Sequence, residues 1–119
     1  QICACTDSMR AAGLPEGPSI LGPIGGGTAV IVEDGIAKMP DKTCFAGSVA
    51  TCDRMVRTLM RDADLPLWEA VRASSYLPAL FMGLGETTGS IRVGKQADLL
   101  VLGRDITVKR VFVSGKEVL

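Results

Sequence analysis

Residues 1–17 read QICACTDSMRAAGLPEG, an apolar run that ends on Thr6 and Asp7 and passes into a glycine-bearing loop. Residues 2 to 6 show no polar/apolar alternation, the pattern of a strand buried on both faces in a parallel sheet. That reading makes the chain α/β and puts Asp7 at the strand's carboxyl end, where α/β barrels keep their catalytic groups. By position alone the same carboxylate also reads as a turn or capping residue, and that role is the commoner one.

Downstream, residues 11–27 hold six glycines and three prolines in seventeen positions, a density that predicts loop. TAVIV and IAKM then flank Glu33-Asp34-Gly35, and Asp-Gly between apolar runs predicts a β-hairpin over residues 28–39. Ser48 is a suitable N-cap for VATCDRMVRTLMRDA, in which Val49, Cys52, Met55, Val56, Leu59, Met60 and Ala63 recur at helical spacing. Asp53 and Arg57 pair at i, i+4 on its polar side. PLWEAVRASS repeats the helical pattern, and PALFMG predicts a shorter helix opened by Pro78, stopped by Gly83 and set off by a tight turn. From residue 89 the texture is strand and turn, with three or four short strands and a hairpin at Ser114-Gly115. This change of texture predicts a boundary near residue 85.

Bulk properties exclude several classes. The 119 residues are 47% hydrophobic and carry thirteen basic against thirteen acidic side chains, so no net field attracts nucleic acid or an anionic membrane. No apolar run approaches the ~20 residues of a membrane span and no charged signal region opens the chain, which predicts a cytoplasmic protein. Because the chain opens on Gln1 inside what reads as a buried strand, it is expected to be a piece of a longer polypeptide. Cys3, Cys5, Cys44 and Cys52 lack the spacing of a zinc site and are expected to be reduced and buried. There is no histidine, hence no complete metal centre and no Ser/His/Asp triad within these residues. GPIGGGT at 22–28 lacks the Lys-Ser/Thr and the helix of a phosphate loop and reads as flexible loop. Phe45 to Ser48, FAGS, reads either as a turn with an N-cap or as a helix N-terminus facing a polar ligand.

TDSMRAAGLPEG, VEDGIAKMPDKTCFAGS, PLWEAVRASSYLPALFMGL, TGSIRVGKQADLLVL and VFVSGKEV together resemble, in order and over nearly the whole chain, the C-terminal third of the N-acetylglucosamine-6-phosphate deacetylases of the amidohydrolase superfamily. The resemblance implies an α/β fold in which residues 1–85 end a (β/α)8 catalytic barrel, with strand eight, a hairpin insertion and the last helices. Residues 86–119 would be the C-terminal strands of a small β-sandwich. It implies a metal-dependent amide hydrolase acting on a sugar phosphate, with a divalent metal, expected to be zinc, held mainly by residues outside this chain.

Asp7 matches the family's acid/base aspartate and is also a candidate metal ligand; Phe45, Ala46 and Gly47 match its substrate-contacting segment. The expected partners are the sugar-phosphate substrate, the rest of the same polypeptide and, in the full-length form, further copies of it. The piece alone is expected to be inactive and marginally stable. Ser8 stands where alanine is commoner in the resembled pattern, Phe45 where leucine is, and Leu77 where asparagine is. Two other readings stay open: another amidohydrolase acting on a different amide or cyclic imide, and a small α/β interaction module without catalysis.

Overall fold

The computed structural model describes residues 2–119. They form two compact units, one of Thr6–Cys52 and the other of the segment up to Cys5 with Asp53–Leu119. Strand and helix are mixed, as an α/β chain requires.

The unit Thr6–Cys52 is built on an antiparallel sheet of β1 (Gly17–Leu21), β2 (Thr28–Glu33), β3 (Ile36–Lys38) and β4 (Phe45–Gly47), in that order. The predicted hairpin is β2–β3. Asp34 and Gly35 both take positive φ, 55° and 68°, the mirror-image turn that matches the twist of the flanking strands. Alternation along β2 turns Val30 and Val32 inward, and Val32 packs with Ala11 and Ala37 against Met9, Ala46 and Val49.

β1 corrects the loop expected over residues 11–27. Pro18 sits opposite Ile31 on a strand at the sheet edge, a place where a missing N–H is tolerated. Residues 11–16 and 22–27 remain loop as expected, and in the second stretch a Cβ on Gly27 would collide with the Leu21 carbonyl oxygen, so close a backbone approach demands glycine.

In the other unit the predicted amphipathic helix is α1 (Cys52–Asp62), with Asp53 and Arg57 paired at 2.7 Å. It begins four residues after Ser48, so Ser48 is not its N-cap. The next two predicted helices are one continuous run: α2 (Leu67–Val71), a π-helical turn (Arg72–Tyr76) and α3 (Leu77–Phe81). No tight turn separates them, because a π turn absorbs Pro78 inside the run. Leu77 N–H reaches back five residues to the Arg72 carbonyl, and Pro78 has no N–H to give. The Ala73 carbonyl therefore has no partner within the helix and accepts the Ala4 N–H at 2.9 Å.

The C-terminal sheet has three strands, β5 (Leu99–Leu102), β6 (Val108–Val113) and β7 (Lys116–Glu117), with the Ser114-Gly115 turn as predicted. Val56, Ala70 and Ile106 form this unit's core, lined by Leu59, Met60, Leu65 and Leu102.

Residues 2–6, read as a strand, belong to none of these strands. A strand is stabilised through ladder bonds to its neighbours, and among the described residues none lies alongside. The four thiols are free as expected, but all are exposed rather than buried. Cys3 and Cys5 have no neighbouring strands to cover them. No helix among the described residues is long and apolar enough to cross a membrane.

Candidate functional site

Asp7 is exposed and takes φ 46°, a left-handed conformation that a non-glycine residue holds only when its surroundings enforce it. The enforcement is visible on its C-terminal side. Ser8 forms a parallel bridge with Ser48. Met9 N–H donates to the Ser48 carbonyl at 2.9 Å, and the Ser8 hydroxyl donates to the Ala50 carbonyl. β4 runs directly into Ser48, so one bridge joins the segment that carries Asp7 to the segment that carries Phe45, Ala46 and Gly47. These candidate residues, far apart in sequence, share one unit and are tied at adjoining positions.

Within β4 the three differ in what they can offer. Period-two alternation turns Ala46 toward the core, where it packs on Ala11, Val32 and Ala37, so only its backbone can meet a ligand. Phe45 is 77% exposed, and Gly47 is exposed beside it with Met9 Sδ and Leu21 Cδ1 each 3.6 Å from the place a Cβ would occupy. Phe45 to Ser48 is thus a strand leading into a bridge, which corrects both the turn-with-N-cap and the helix N-terminus readings.

Beside Phe45 an open recess of about 420 Å³ is lined by Lys38, Lys42, Thr43 and Cys44. Its two ammonium groups converge on one carboxylate: Lys38 Nζ lies 2.9 Å and Lys42 Nζ 3.0 Å from Glu33. The hydrogen bond from Lys38, then that from Lys42, holds the Glu33 carboxyl below its usual value, and Glu33 in turn raises Lys38. The Asp41 carboxyl is likewise lowered, by the backbone N–H and then the hydroxyl of Thr43. This clamp on the β3–β4 loop was not read from the sequence. The signal was present in two lysines placed just past an Asp-Gly turn that returns them to Glu33.

No group of three or more His, Cys, Asp or Glu side chains that could hold a metal ion exists among the described residues. With no histidine in the chain, its donors do not compose a metal centre, and Asp7 stands as a single carboxylate.

Comparison with known proteins places these observations in a family. A model of the amidohydrolase family matches residues 19–118. An N-acetylglucosamine-6-phosphate deacetylase of Caenorhabditis elegans is 33% identical over 95% of this chain and 26% of its own length. An N-acetylgalactosamine-6-phosphate deacetylase of Escherichia coli O157:H7 is 28% identical over 98% of this chain and 29% of its own. Among solved structures, the N-acetylglucosamine-6-phosphate deacetylase of Pasteurella multocida superposes with a TM-score of 0.85 at 30% identity, covering 97% of this chain and 29% of that one. The chain thus spans under a third of the length of these relatives.

Proposed function

The chain belongs to the amidohydrolase family, and on that premise we propose that it works as part of a longer hydrolase that converts N-acetylglucosamine 6-phosphate to glucosamine 6-phosphate and acetate. The relatives that carry this name align with nearly the whole chain, which supports the reading. The observation that carries it is the bridge from Ser8 to Ser48, since it attaches a strained, exposed carboxylate to the strand proposed to meet substrate.

Residues 1–85 are taken as the end of the catalytic barrel and residues 86–119 as strands of the accessory sandwich. Asp7 acts as acid and base. Its carboxylate accepts a proton from the hydrolytic water as that oxygen attacks the acetyl carbonyl, and returns it to the amide nitrogen as the C–N bond breaks. Phe45 and the backbone of Ala46 and Gly47 hold the sugar in place. Because this chain's own described donors do not form a metal site, a divalent ion, zinc by expectation, would take its ligands from the rest of the protein and would supply an acidified water for the attack.

The test is Asp7→Asn in the full-length protein. Turnover should fall about 10²–10⁴-fold, the usual contribution of a general acid–base group, while fold and metal content survive. Near-normal deacetylation by that variant would end the assignment. A panel of N-acetylglucosamine 6-phosphate, N-acetylgalactosamine 6-phosphate and cyclic-imide substrates separates this reading from a different amidohydrolase specificity.

A further inference from the structure

Ala50 lies two residues past Ser48, between β4 and α1. A parallel ladder begun at Ser8 and Ser48 and continued in register would bring the Ala50 peptide a carbonyl from residue 9 and an N–H from residue 11. The chain turns away at Arg10, and two hydroxyls stand in for those ladder partners. Ser48 Oγ accepts the Ala50 N–H at 3.1 Å, and Ser8 Oγ donates to the Ala50 carbonyl. The Ser8 hydroxyl thereby extends by one bond a pairing that the backbone alone would leave at the Met9–Ser48 contact. It is also a departure from the alanine of the resembled pattern.

From this arrangement we infer that Ser8 is a positioning residue, whose hydroxyl fixes the left-handed Asp7 peptide against the segment into which β4 runs. It thereby sets the reach of the carboxylate toward Phe45 and Gly47. The inference rests on the acid/base role proposed for Asp7. Mechanically it is simple. Asp7 is joined by one peptide to Ser8, the first residue of its segment held by the bridge, and its own φ of 46° is tolerated because that neighbour is held. Without the hydroxyl the bridge keeps its Met9 bond but gains freedom to pivot about it. Asp7 would then sample orientations in which the carboxylate is misdirected while Phe45 and Gly47 are unmoved. The expected signature is a loss in the chemical step with little change in substrate binding.

Ser8→Ala removes a single oxygen from an exposed position and leaves the Met9–Ser48 bond in place, so the fold should survive. In the full-length protein its kcat should fall about three- to tenfold, the range of one hydrogen bond, with KM changed less than about twofold. Ser8→Thr, which keeps the hydroxyl, should restore kcat. The Asp7 carboxyl ¹³C resonance, read without substrate, should move in Ser8→Ala and return in Ser8→Thr. An unchanged kcat together with an unchanged resonance in Ser8→Ala overturns the inference, as does a loss that Ser8→Thr fails to restore. If the unsubstituted full-length protein hydrolyses none of the panel, the hydrolase reading fails by itself, and the resonance then decides whether Ser8 orients Asp7.

Discussion

An added Cβ at Gly103 would stand 2.6 Å from Asp105 Oδ1 and 2.8 Å from Thr107 Oγ1, two atoms already bonded to each other at 2.7 Å. That hydroxyl bond, together with the weaker one from the Thr107 N–H, also holds the Asp105 carboxyl below its usual value. The loop it closes carries Ile106, which is buried yet has φ 64°, a strained choice for a β-branched residue that its place in the core enforces. Gly103→Ala should therefore cost about 1–3 kcal/mol by overpacking, read as a lower denaturation midpoint with unchanged slope. An unshifted midpoint would show that the loop yields. Glu33 offers a test in pH. Its carboxyl is held below the usual 4.5 by Lys38 first and Lys42 second, so the clamp's contribution is complete above that ordinary value and is lost as pH falls through the lowered one. Amide protection at Lys42, whose N–H donates to the Met39 carbonyl at 2.8 Å, should drop over that acid window in the native sequence. Glu33→Gln should flatten the drop, and a profile identical to the native one would remove Glu33 as its cause.

Among the elements, the hairpins were legible because their turns are chemically explicit. Asp34-Gly35 and Ser114-Gly115 both adopt the paired positive φ that those residue types favour. Gly35→Ala should accordingly cost about 1–2 kcal/mol, the ordinary penalty for a side chain in left-handed backbone, measurable as a lower melting temperature. β1 was hidden because Gly17 and Pro18 look like punctuation, and only the edge position that the sheet gives them makes a strand acceptable. The start of α1 was misread because Ser48 has a good capping side chain that is spent elsewhere, on the Ala50 N–H. Pro78 was misread as a helix opener because a window of sequence cannot tell a new helix from a run that widens by one residue to admit a proline. Pro78→Ala would return an N–H to that position and set it in competition for the Ala73 carbonyl. Exchange of the Ala4 amide should then speed up about tenfold, and an unchanged rate would mean the acceptor was never contested.

For the whole molecule, twenty large hydrophobic side chains are exposed among the described residues, whereas the ten buried hydrophobic residues include only five larger than alanine. Alanine buries too little apolar surface to offset the ordering of a chain this long. The 119 residues alone should therefore bind an environment-sensitive apolar dye and melt over a broad range. A sharp calorimetric transition without dye binding would contradict that. The proposal for Asp7 and the Phe45–Gly47 segment rests on resemblance, since a carboxylate after an apolar run is ambiguous by itself. The bridge that joins them was not legible, because it depends on where a loop turns and on two hydroxyls taking the place of backbone groups. Seen across the chain, the π turn is a matter of counting. Arg72–Tyr76 contains one residue more than an α-helix would need, and that surplus leaves the Ala73 carbonyl free to hold Ala4. The wider turn takes up that surplus without rotating α3, so the run keeps its helical facing on either side of it. The surplus residue and the proline that follows it, acting together, are what moor the backbone at Ala4.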